Sequence, residues 1–197
     1  VYTALYDERR CGDLVPRERV RVSWLARIPA ANRLFRYLAP LYPSVFEHVD
    51  LSGYDTIVSS TTAWAKGVNV PKGAVHVCYV NTVSRFAFAY DAYLGGFGVR
   101  ALARPLVRRL VAWDRSAAQR PTVLVANSRN VADRIRRHYG RQALVLHCPV
   151  DIDRFTPGNG RGEYFIVASR LLPYKRVDLA IRAAQLAGVP LLVAGAG

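Results

Sequence analysis

The chain has 197 residues, 51% hydrophobic, 21% charged and 11% aromatic, which is the composition of an ordinary packed protein of one or two domains. Collagen-like, coiled-coil and wholly disordered chains are excluded; no run approaches the roughly 18 to 20 apolar residues of a membrane-spanning helix, and no signal segment opens the sequence. The formal charge is +14, and eleven basic against two acidic residues between 98 and 141 carry most of the excess.

In chain order, short apolar runs rich in β-branched residues alternate with longer stretches of helical period, the signature of a parallel α/β domain. Buried strands are predicted at residues 1–6, 56–59, 75–80, 122–126, 144–147, 164–168 and 191–194. Residues 98–118 place Arg100, Arg104, Arg108 and Arg115 on one helical sector, with Leu102, Leu106, Leu110 and Trp113 opposite. Pro105 interrupts that segment and predicts a kink or a late start. A second helix starts at Arg129, with Val131, Ile135 and Tyr139 on its apolar face, Asn127 or Ser128 as cap and Gly140 as its end. A third covers 177–186, with Val177, Ala180, Ile181 and Ala184 buried and Asp178, Arg182 and Gln185 outside.

Between Asp153 and Gly162 the composition turns to Pro, Gly and Asn, a linker signature. It separates a first domain, 1–155, from a short second one, 163–197, too small to bury a core alone. The absence of any methionine suggests an internal piece of something longer. Cys11, Cys78 and Cys148 are widely spaced with no CxxC pair, which supports neither a disulfide framework nor a structural zinc site and fits a reducing, cytoplasmic setting. His48, His76, His138 and His147 lack the neighbours that metal ligation favours and read as structural.

The sharpest constellation lies directly after a strand and before a helix: Ser169-Arg170-Leu171-Leu172-Pro173-Tyr174-Lys175-Arg176. Ligands of open α/β sheets bind at the carboxyl ends of strands. There Arg170, as a planar fork, and Lys175, as a point charge, could converge on a diphosphate, helped by the amides of the next helix. A solvated surface loop is an equally economical reading of the spacing.

That segment, continued by Val177-Asp178-Leu179-Ala180 and by Val189-Pro190-Leu191-Leu192-Val193-Ala194-Gly195-Ala196-Gly197, resembles the donor-domain entry of the retaining family 4 glycosyltransferases. Phe46-Glu47-His48-Val49-Asp50-Leu51, Ser59-Ser60, Ala65-Lys66-Gly67, His76-Val77-Cys78-Tyr79, Ala126-Asn127-Ser128-Arg129 and Pro149-Val150-Asp151-Ile152-Asp153-Arg154-Phe155 resemble the acceptor side of these enzymes, in the same order. The likeness is greatest to bacterial mannosyltransferases of surface-polysaccharide synthesis.

The resemblance implies an α/β fold of GT-B type: an incomplete Rossmann-like acceptor domain followed by the first βαβ of a second Rossmann-like donor domain. It implies transfer of a hexose, mannose first, from a GDP-sugar or UDP-sugar to a glycan or lipid-linked acceptor, with retention. Arg170 and Lys175 match the family's diphosphate-binding cations, and Gly195 lies on the donor-diphosphate side. With two cations there, no metal and no other cofactor is expected. Asn81 stands where the family carries its catalytic-site histidine, and Arg85 follows on the acceptor side. Asn81 cannot exchange a proton near neutral pH, so a catalytically inactive remnant is the alternative.

The basic segment 98–118 has two readings. It could meet an anionic membrane surface, placing the protein at the inner face of the membrane, or its arginines could be a solvated exterior. Nucleic-acid binding is disfavoured, because the aromatics do not interleave with the arginines and no nucleic-acid-binding motif is present.

Overall fold

A computed structural model of the chain describes residues 1–35, 37–84, 97–156, 158, 160 and 162–197. It divides into two compact units, Val1–Cys148 and Pro149–Gly197. Residues 149–155, which the sequence groups with the first domain, are compact with the second.

The first unit opens with a small parallel ribbon, β1 (Tyr2–Thr3) and β2 (Arg21–Val22). Short helices lie between and after its strands: α1 (Glu8–Cys11) between them, then α2 (Ala31–Leu34) and α3 (Tyr42–Glu47). The strand expected at 1–6 is thus only two residues long, as long as its partner. The main sheet follows: β3 (Thr56–Thr61), β4 (Val75–Val80), β5 (Val123–Ala126) and β6 (Leu144–Val145), all parallel and in the order β3-β4-β5-β6. Thr61 lies opposite Val80, Val80 opposite Ala126, and Ala126 opposite Val145, so the carboxyl ends of all four strands line up.

Parallel strands need crossovers, and helices supply two of them here. Helix α4 (Phe97–Ala117) joins β4 to β5, and α5 (Arg129–Tyr139) joins β5 to β6. Helix α4 begins before Pro105 and continues past it, so the late start does not occur. Of its predicted apolar side, Leu110 is buried, whereas Leu106 is 42% exposed. Helix α5 forms as its sequence dictates. The Ser128 hydroxyl accepts from the Val131 amide at 3.3 Å, and Gly140, at φ 66°, takes the left-handed turn that ends the helix. Its buried stripe, Val131, Ile135 and Tyr139, packs on Cys78, Val80, Leu124 and Ala126 of the sheet. Each such aliphatic side chain contributes about 2 kcal/mol by leaving water.

The second unit is a single βαβ: β7 (Phe165–Ala168), α6 (Val177–Ala187) and β8 (Leu191–Ala194), with the two strands parallel and in register from Phe165–Leu191 to Ala168–Ala194. Ala184 is buried under the helix, but Ile181, expected inside, is 40% exposed. A helix over two strands has too narrow a sheet beneath it to cover both, and Phe165, Ile166 and Leu192 are exposed as well.

Candidate active site

In the first unit the described carboxyl edge of the sheet carries the polar residues Thr61, Asn81 and Asn127. Thr61 ends β3, and its Oγ1 accepts from the Ala63 amide at 3.0 Å, which turns the chain into the 3-10 turn Ala65–Gly67. Asn81 follows β4 directly. Its amide nitrogen Nδ2 donates to Ser60 Oγ at 3.1 Å and to the Thr61 carbonyl at 3.4 Å, and its backbone amide also donates to Thr61. Asn127, following β5, donates from Nδ2 to the Asn81 carbonyl at 3.0 Å, while Ser128 donates to Asn127 Oδ1. The ends of three strands are therefore stitched together around Asn81. With Nδ2 committed, its Oδ1 is chemically an acceptor: such a group can orient a hydroxyl but not remove its proton. Arg85, the other acceptor-side residue named from the sequence, lies outside the described residues.

Behind this edge lies a buried charged cluster that sequence reading missed. Lys66, in the turn after β3, donates to Asp114 Oδ1 at 2.5 Å with both side chains almost fully buried. Its ammonium also reaches the Ala63 carbonyl and, at 3.3 Å, Ser84 Oγ. Ser84 Oγ donates to the same carboxylate oxygen, and Tyr139 OH donates to Asp114 Oδ2 at 2.8 Å. Burial pushes the Lys66 ammonium below its usual pKa, and the Asp114 charge opposes that. The Tyr139 phenol is held far above its usual range by burial and by the adjacent carboxylate. Lys66 was visible in sequence only as part of Ala65-Lys66-Gly67.

The same turn is fastened on its other side. A Cβ at Gly67 would overlap the Trp113 ring. Arg120 donates to the Gly67 carbonyl and pairs with Glu47 at 2.5 Å, and Glu47 also accepts from Trp113 Nε1 at 2.8 Å. His76, fully buried in β4, meets Ser59 Oγ through Nε2 at 2.8 Å, while Nδ1 has no partner among the described residues. Burial pushes its pKa down to about 4, so its ring is neutral at neutral pH.

In the second unit, the loop after β7 runs beside the end of β8. The Ser169 amide donates to the Ala194 carbonyl and the Leu171 amide to Ala196, both at 3.0 Å. The backbones approach so closely that a Cβ at Gly195 would overlap the Ser169 carbonyl. This pairing brings Gly195 beside the loop of Arg170. Lys175 closes the 3-10 turn Pro173–Lys175 at the far end of that loop, just ahead of α6. Both cationic residues are exposed. Arg176 then takes a left-handed conformation, φ 51°, uncommon for a residue with a side chain, and its guanidinium holds Asp178 at 3.2 Å. The Arg176 charge keeps the Asp178 carboxyl below its usual range.

A parallel sheet with helical crossovers and polar strand ends, followed by a separate βαβ, is the Rossmann-like α/β architecture of GT-B glycosyltransferases. The family model described as Glycosyltransferase Family 4 matches residues 4–154, and the chain belongs to that family. No curated protein and no solved structure matches the chain. The matched range takes in Asn81 and the buried cluster and ends before β7, so Arg170, Lys175 and Gly195 lie beyond it. Membership establishes glycosyl transfer in general, from a nucleotide sugar to a glycan acceptor. Among the described residues, no helix is long and apolar enough to cross a membrane.

Proposed function

We propose that the protein transfers a hexose, mannose first among the candidates, from a GDP-sugar or UDP-sugar to a glycan or lipid-linked acceptor, with retention at the anomeric carbon. The observation that carries this reading is the backbone pairing between the Arg170 loop and the Gly195 strand end, at the carboxyl end of a parallel sheet. That is where a nucleotide diphosphate binds in such folds. As the glycosidic bond breaks, negative charge grows on the leaving diphosphate. Arg170 and Lys175 stabilise that charge more in the transition state than in the ground state, and so raise the rate and not only the affinity. The amide of Gly195 can approach the diphosphate because no side chain stands in the way. In this reading the two cations meet the leaving-group charge without a metal.

On the acceptor side, Asn81 accepts a hydrogen bond from a sugar hydroxyl through Oδ1, and Arg85 assists. The exposed arginines of α4 face the inner membrane surface, where lipid-linked acceptors are held. The test is release of nucleoside diphosphate from GDP-mannose and from UDP-glucose by the whole protein, with a lipid-linked or glycan acceptor. Arg170→Ala or Lys175→Ala should each lower turnover by about two orders of magnitude, the usual effect of losing one transition-state donor. Unchanged kinetics in both variants would remove the donor-site assignment, and no turnover of any nucleotide sugar by the wild type would favour an inactive remnant.

A further inference from the structure

Four elements of the first unit converge on the Asp114 carboxylate: the turn after β3 through Lys66, the loop after β4 through Ser84, the end of α5 through Tyr139, and α4 itself. A buried ion pair is seldom a better stabiliser than apolar groups of the same volume. It does differ from them in direction: two carboxylate oxygens, each with defined lone pairs, fix the angle as well as the distance of every donor.

The site served by that fixing lies three residues from Ser84. Asn81 is tied at one end of the span 81–84 to Ser60, Thr61 and Asn127, and Ser84 is tied at the other to Asp114, with its amide also 3.4 Å from Tyr139 OH. Between them Val83 is buried, and the Thr82 hydroxyl has no partner among the described residues, so polar contacts hold the span at its ends. A span this short transmits a displacement of one end to the other.

We propose that Lys66, Ser84, Asp114 and Tyr139 form a positioning cluster that holds residues 81–84 after β4 and thereby sets Asn81 at the carboxyl edge of the sheet. Its consequence for turnover rests on the acceptor-site reading given above; the holding itself does not.

The experiment uses Ser84→Ala and Tyr139→Phe in the whole protein, each of which deletes one hydroxyl and leaves the buried ion pair complete. Amide hydrogen exchange at Asn81 and Ser84 should quicken about tenfold or more in both, the factor expected for losing at least one hydrogen bond to a charged group. Exchange within β4 and β5 should stay at the wild-type rate, and release of GDP from GDP-mannose or UDP from UDP-glucose should fall. Equal quickening throughout β4, β5 and the loop would reduce the cluster to core packing and overturn the proposal, as would no change at Asn81. Asn81→Ala separates the two readings. If the loop loosens in Ser84→Ala while Asn81→Ala leaves turnover unchanged, the cluster's holding role stands and the acceptor-site reading of Asn81 falls.

Discussion

Among the described residues, His76 is bonded through one of its two ring nitrogens, inside the sheet, and its burial gives the first unit a pH dependence of definite sign. The folded pKa is pushed down to about 4 from the ordinary 6.5. Between those values the unfolded chain takes up a proton that the folded chain refuses. The contribution is therefore fully present above pH 6.5 and is lost as pH falls toward 4, by about 3 kcal/mol in all. Urea denaturation at pH 7 and pH 4.5 should show this loss in the wild type and a smaller one in His76→Gln, which can still bond Ser59 but does not titrate. An equal loss in both would assign the acid sensitivity to carboxylates instead. The spacing of His76 in the sequence already pointed away from metal ligation. Its depressed pKa was not legible there, because it depends on how completely the neighbouring strands and helices enclose the ring.

At the scale of elements, α4 shows most clearly what the sequence could and could not reveal. The 3.6-residue period placed Arg100, Arg104, Arg108 and Arg115 on one face, and Arg104, Arg108 and Arg115 are exposed. It could not reveal that Asp114 is fully buried, since a hydropathy pattern counts a carboxylate as solvent-seeking. Three donors make the burial tolerable, and they lie 48, 30 and 25 residues away along the chain. No local window contains them. The strands were legible as β-branched runs, but β1 and β6 are shorter than their apolar runs because a strand extends only as far as its partner pairs with it. The exposed arginines also support a prediction. If they meet an anionic membrane, Arg104→Gln/Arg108→Gln/Arg115→Gln should weaken binding to phosphatidylglycerol vesicles on the order of 100-fold, at about 1 kcal/mol per basic residue. Wild-type binding should weaken as salt rises. No binding by the wild type at low salt would assign these arginines to a solvated exterior.

For the whole molecule, the alternation of strand and helix was sufficient to predict a parallel α/β chain, and the family match over residues 4–154 names its class. The polar sheet edge around Asn81 belongs to the first unit and the Arg170 loop to the second, and each is built from its own strand ends. The motif at 169–176 was legible because it is local: strand end, cations and helix start fall within a dozen residues. The contact that makes Gly195 necessary was not, because it arises only when β7 and β8 pair and their end loops run together. The net charge pointed toward anionic partners without saying which. In the proposed function, part of that charge meets one anion, the diphosphate at Arg170 and Lys175. Titration of the wild type and of Arg170→Ala/Lys175→Ala with GDP and with UDP tests that assignment most directly, because the free nucleoside diphosphate carries the charge that the leaving group gains. The wild type should bind one of the two, and the double variant should bind it about 100-fold more weakly or worse, two charged hydrogen-bond donors having been removed. Equal affinity in the two proteins would contradict the account.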